Sequence, residues 1–122
     1  MKELVKELAG AQKENLRRDF EHFHQNPELS FKEYQTAEYI RNTLKELGIP
    51  MQEGISGTGT VGILKGSEPG PVIAFRADID ALPVHEINDL PYRSQTEGVM
   101  HACGHDSHTA TLLGLARVLS SH

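Results

Sequence analysis

The chain has 122 residues, 38% hydrophobic and 24% charged, which is enough for one domain with a core and too little for two of ordinary size. Twelve Lys and Arg against 17 Asp and Glu give a formal net charge of −5, which argues against a binder of phosphate backbones. A single cysteine rules out an internal disulfide, and the N-terminal MKELVKELAGAQKENLRR has no unbroken apolar stretch for a signal peptide or membrane span. These features predict a cytoplasmic α/β protein without nucleic-acid or membrane partners.

The first predicted element is helical. Leu4 and Leu8 share one face, and Leu16, Phe20 and Phe23 make a second set at i, i+4, i+7. Ala9-Gly10 is expected to loosen the helix between them. Ser30 and Glu33 form a capping-box pattern after Pro27-Glu28-Leu29, followed by an apolar stripe at Ala37, Ile40, Leu44 and Leu47. Gly48 should end that helix as a C-cap, with Ile49 folding back near Leu44.

After Pro50 the pattern predicts strands at residues 51–56, 60–64 and 71–77, separated by glycine-rich turns. Val72, Ile73, Ala74 and Phe75 are continuously apolar, as in a strand covered on both faces inside a mostly parallel sheet. Asp78 and Asp80 follow at the strand end, where open α/β sheets place ligands. Residues 81–100 show little periodicity, and an ordered loop of about twenty residues is often functional. The final helix is expected from about Ser107, with Asp106 or Ser107 as N-cap. Its Ala110, Leu112, Leu113, Leu115, Ala116, Val118 and Leu119 leave almost no polar face and predict burial on most sides.

Three of the seven histidines and the only cysteine lie in HACGHDSH, from His101 to His108. In an extended segment Cys103 and His105, two apart, leave the same face and can present a thiolate and an imidazole to a metal. A small buried cysteine beside a capping aspartate is the ordinary alternative. Clustering favours the metal, with His101 and His108 read as supporting or surface groups and His22, His24, His85 and His122 as non-ligands. Asp78 and Asp80 share one side, as turn formers or as a metal ligand and the partner that orients one. Glu3, Glu7, Glu14, Glu33, Glu38 and Glu46 read as solvated helix faces. A catalytic zinc-type site has three protein ligands and an open position, so this set is incomplete.

HQNPELSF (His24–Phe31), RADIDALP (Arg76–Pro83) and GVMHACGHDSHTATLLGLA (Gly98–Ala116) resemble, in order, the M20 metallopeptidase family, amidohydrolase branch. That branch includes hippurate hydrolase, N-acetyldiaminopimelate deacetylase and indoleacetyl-amino-acid hydrolases. The resemblance implies a catalytic domain with a mixed, mostly parallel sheet flanked by helices. It implies divalent metal ions (manganese, zinc, nickel or cobalt), two in the complete enzyme, and hydrolysis of the amide of N-acyl amino acids. Cys103 and His105 match metal ligands, Asp80 matches the acid counted with the catalytic residues as orienting the site, and Asp78 falls where related branches carry a metal-binding histidine. His24 matches a signature position without a catalytic role, and Glu21-His22 stand where relatives more often have arginines.

The family's general-base glutamate, further ligands and inserted dimerisation domain have no counterpart among these residues. The expectation is therefore that residues 1–122 are the N-terminal part of such a catalytic domain, inactive alone and prone to self-association through exposed core. The alternatives are a stand-alone metal-binding module and nucleophilic catalysis by Cys103 with His105 or His101 as base, for which residues two apart in an extended run are badly placed.

Overall fold

In the computed structural model, which describes residues 1–122, the amphipathic N-terminal stretch forms two helices rather than one. Helix α1 (Lys2–Gly10) ends at the expected glycine, and α2 (Lys13–Gln25) begins two residues beyond Ala11. Helix α3 (Tyr34–Glu46), the hairpin β1 (Met51–Ile55) and β2 (Gly59–Gly62), and α4 (His105–Ser120) complete the regular structure. The core lies where α2 and α4 meet. Phe23, Ala110 and Leu113 are buried there, with Phe20, Tyr39 and Ile40 packed around them. Burying the Phe23 side chain contributes about 1.5–3 kcal/mol, and Tyr39 meets it edge-on with ring centroids 5.1 Å apart.

Helix α3 starts differently from the capping-box reading. Ser30 does not cap it, and Glu33 occupies the N-cap position without a side-chain bond. The carboxylate of Glu28 instead accepts the backbone N–H groups of Gln35 at 3.1 Å and Thr36 at 2.6 Å. Phe31 adopts φ 66°, which turns the chain back far enough for this distant carboxylate to reach the helix start. The C-terminus follows expectation: Gly48 has φ 70°, and the N–H of Ile49 returns to the Leu44 carbonyl at 3.0 Å.

The expected mixed, mostly parallel sheet is not formed. The observed α/β arrangement has helices flanking one antiparallel pair, with Met51 opposite Gly62 and an irregularity between Glu53 and Ile55. Residues 71–77 make no ladder, leaving Val72 98%, Ile73 71% and Phe75 60% exposed. A strand is stabilised by hydrogen bonds to a neighbour, and an apolar run without one cannot become a strand by composition alone. Only single bridges appear beyond the hairpin, Leu29 to Ala81 in parallel and Leu82 to Met100 antiparallel.

Helix α4 starts at His105, two residues earlier than expected, from Gly104 in the left-handed conformation (φ 105°) rather than from Asp106 or Ser107. It is buried on one face, not most: Leu113 is 4% exposed and Leu119 49%. The buried face also carries Arg117, whose guanidinium donates to Asp19 of α2 at 2.6 Å. Tyr39 of α3 donates to the other oxygen of the same carboxylate at 2.6 Å, so one buried aspartate joins three helices.

Candidate metal centre

The first bridge, with the Ala81 N–H bonded to the Glu28 carbonyl at 2.8 Å, fixes the segment that carries Asp78 and Asp80 beside the start of α4. The Thr109 hydroxyl, 2.9 Å from the Asp78 carbonyl, adds a tie from the helix itself. His105 consequently faces Asp80. Its Nδ1 lies 2.9 Å from Asp80 Oδ1 and 3.0 Å from the Asp80 carbonyl, with both partners acceptors, so Nδ1 carries the proton and donates. The other nitrogen, Nε2, is left free of hydrogen bonds and lies 3.7 Å from Asp78 Oδ2. A carboxylate that holds one ring nitrogen and leaves the second outward is the usual support of a metal-binding histidine. The Ser30 hydroxyl donates to Asp80 Oδ2 at 2.5 Å and, with the backbone and His105, outweighs burial to hold the Asp80 carboxyl below its ordinary range. Arg76 bonds Asp78 Oδ1 at 2.5 Å from an exposed position.

Behind this pair lies a second set that sequence spacing does not assemble. His24, 6% exposed, places Nδ1 2.8 Å from Asp106 Oδ2 and Nε2 2.8 Å from Glu86 Oε2. Burial opposes its protonation, but the two carboxylates prevail and raise its pKa above the ordinary imidazole value. His101 is different: it is 5% exposed and neither ring nitrogen has a partner. Desolvation first, then the neighbouring His24 and His105, keeps it neutral by lowering its pKa. A buried polar group without a partner costs free energy, and unpartnered neutral imidazole nitrogens are of the chemical type that takes a divalent cation or a water held by one.

The structure thus brings Asp80 and His105 together, as the spacing of neither could have shown. Cys103 does not join them in a closed ligand set. It is exposed and free, and left-handed Gly104 interrupts the extended segment on which a shared face with His105 depended. No three His, Cys, Asp or Glu side chains converge on one point that could hold a metal ion. His108 stands one turn along, its ring 6.1 Å from that of His105, and is exposed. Glu86, buried and central to the second set, is not singled out by the sequence reading. Its only advance signal is an acidic residue inside a long aperiodic loop bracketed by prolines at Pro83 and Pro91.

Comparison with known proteins adds to this geometry. Residues 74–122, from the unpaired apolar run through α4, match the model described as peptidase family M20/M25/M40. YhaA of Bacillus subtilis is 50% identical over 120 residues, which are 97% of this chain and 30% of that protein. The hippurate hydrolase of Campylobacter jejuni is 51% identical over 98 residues, 80% of this chain and 26% of that enzyme. A crystal structure of B. subtilis YXEP, described as a dinuclear metal-binding peptidase of the M20 family, superimposes with a TM-score of 0.83 at 44% identity. That match covers 95% of this chain and 32% of YXEP, so the chain spans about a third or less of the length of these relatives.

Proposed function

Because this chain carries a partial domain of the M20 peptidase family, we propose that it contributes to metal-dependent hydrolysis of the amide bond of N-acyl amino acids. In this reading Cys103 and His105 hold metal and Asp80 orients His105, acting with residues from the remaining length of such relatives. The observation that carries it is the orientation of His105, whose Nδ1 proton is engaged by Asp80 and whose Nε2 is unbonded. The likeness to a hippurate hydrolase and to a dinuclear metal-binding peptidase supports the substrate class and a pair of metal ions; manganese, zinc, nickel and cobalt are the candidates that the motif resemblance implies.

The chain's own contribution is positional. When bound, a divalent metal ion supplies a Lewis acid for the amide carbonyl. Asp80 fixes the tautomer and ring angle of His105, Ser30 holds Asp80 in its charged form, and Cys103 adds a softer donor at the start of α4. The general-base glutamate that the family resemblance implies has no counterpart among residues 1–122, so hydrolysis by these residues alone is not expected.

Equilibrium dialysis against each of the four ions, followed by metal analysis, tests the ligand assignment. The expected result is retention by the wild-type chain, its loss in Cys103→Ala and His105→Ala, and about 10–100-fold weaker binding in Asp80→Ala. No retention by the wild type, or retention indifferent to both ligand substitutions, overturns it. Hydrolysis of hippurate by a polypeptide that joins this chain to the remaining length of such a relative, lost in Asp80→Ala, separates catalysis from a metal-binding module.

The exposed run at Val72, Ile73 and Phe75 supports self-association as the partner state of the chain on its own. Ile73→Lys, at a 71% exposed position, is expected to shift light scattering towards monomer without changing the far-UV circular dichroism. An unchanged mass distribution would exclude this run as the contact.

A further inference from the structure

The loop from Leu82 to Met100 has no regular structure, yet it is closed and tightly held. Its ends are joined by two backbone hydrogen bonds, Leu82 N–H to the Met100 carbonyl at 2.9 Å and Met100 N–H to the Leu82 carbonyl at 3.0 Å. One end lies two residues after Asp80 and the other three residues before Cys103. At its centre is the Glu86 carboxylate, 3% exposed. It accepts the Ser94 N–H at 2.5 Å, the Asn88 amide at 3.1 Å and His24 Nε2 at 2.8 Å, while Arg93 donates to the Glu86 carbonyl at 3.1 Å. His24 then passes the connection to Asp106, the neighbour of His105. A line of three buried charged groups therefore runs from the loop, through α2, to the first turn of α4.

We propose that Glu86 is a positioning residue for the candidate metal centre, setting through His24 and Asp106 the placement of the His101–His105 segment. The physical reason is the scarcity of other restraints. From Ile63 to Gly104 there is no helix or strand, so the segments bearing Asp80 and Cys103 are located by individual hydrogen bonds. The Glu86 carboxylate accepts three of these, as many as the Ser94 hydroxyl makes, and it is the one loop side chain whose hydrogen bonds reach out of the loop to a helix. Removing the charge should relax both ends of the loop together, whereas a residue that merely fills space would lose packing and leave the ligand segment where it is.

This inference rests on the reading of Cys103 and His105 as metal-holding residues, and the test keeps the two separable. Glu86→Gln retains the size of the side chain and an oxygen for the Ser94 N–H, but not the charge facing His24. Asn88→Ala removes one donor to Glu86 from an exposed position and gives a variant whose folding is not in question. Titration with Co²⁺ reports affinity and, from the thiolate and ligand-field absorption bands, the ligand geometry. Long-range ¹H–¹⁵N spectra of the histidine rings report their placement in the metal-free chain.

With the helical circular dichroism retained, Glu86→Gln is expected to weaken Co²⁺ binding by about 10–100-fold, to alter the absorption bands, and to move the ring resonances of His101 and His105 as well as His24. Asn88→Ala should move the same resonances in the same direction by less. Wild-type affinity and bands in Glu86→Gln, with only the His24 ring perturbed, would overturn the proposal. Absence of Co²⁺ binding by the wild type would instead defeat the metal reading. The metal-free spectra would then decide on positioning: unmoved His101 and His105 resonances reject it, and moved ones retain it. Should Glu86→Gln unfold, the same spectra of Asn88→Ala decide between these two outcomes.

Discussion

Arg117→Met is expected to lower the unfolding free energy by about 3–5 kcal/mol, the cost of leaving a buried charge without its partner. Asp19 is completely buried, and Arg117, 9% exposed, donates to it at 2.6 Å. After the substitution Asp19 keeps the Tyr39 hydroxyl and a contact with Arg18 at 3.6 Å, from a side chain that is largely exposed and screened by water. Domains are usually stable by about 5–15 kcal/mol. This one has few fully buried apolar residues beyond Phe23, Ala110 and Leu113, so it has little margin. Urea unfolding followed by circular dichroism should show the midpoint falling steeply. The compensating variant Asp19→Leu with Arg117→Met removes both charges and should recover much of the loss, since buried pairs exchanged for apolar side chains are often neutral or stabilising. An unchanged midpoint in Arg117→Met alone would mean that the pair does not hold the three helices together.

That ion pair also shows what can and cannot be read from the sequence. Arg117 stands inside LLGLARVL, an otherwise apolar stretch, and an arginine there signals a buried partner without saying which. Identifying Asp19, 98 positions away, needs the packing of α2 on α4. Local features are legible because neighbours in sequence determine them, as with Gly48 and Ile49 at the end of α3 or the break after Gly10. The capping-box pattern at α3 misleads because two residues have the correct spacing for it, while Glu28, farther back, has the shorter path once Phe31 reverses the chain. The run at 72–75 misleads for a different reason. Apolar composition expresses a preference for burial, but a sheet is a relation between strands, and no partner for this run is present. Of the candidate site, the motifs single out Asp80, His105 and Cys103 one by one; the pairing of His105 with Asp80 is a matter of packing, and Cys103 lies exposed beside left-handed Gly104. Glu86 and His24 act through contacts 62 residues apart, which neither periodicity nor spacing encodes.

His24→Leu should be comparably damaging, because it strips the shared counter-charge from two carboxylates, Glu86 at 3% and Asp106 at 4% exposure. Its pH dependence distinguishes it from a simple packing defect. His24 binds its proton more tightly folded than unfolded, so its contribution is complete below the ordinary value of 6.5 and is lost as pH rises through the higher folded value. Glu86 has the opposite sign. Burial raises its pKa, but the Ser94 N–H, His24 and Asn88 prevail and lower it below 4.5, so its contribution is present above 4.5 and lost only as pH falls through the folded value. His101 and His22, held neutral chiefly by burial, stabilise above 6.5 and lose that contribution as pH falls through their lowered values. The wild-type chain should therefore lose stability on both sides of a maximum: on the acid side through His101 and His22, on the alkaline side through His24. Thermal unfolding measured from about pH 5 to about pH 9 should show both limbs in the wild type. In His24→Leu the alkaline limb set by the folded value above 6.5 should be lost, and a decline that starts lower in pH, from Glu86 and Asp106 left buried without a counter-charge, should take its place. An alkaline limb at the same pH and of equal slope in the two proteins would place the titrating group elsewhere and leave the Glu86–His24–Asp106 line as uncharged packing.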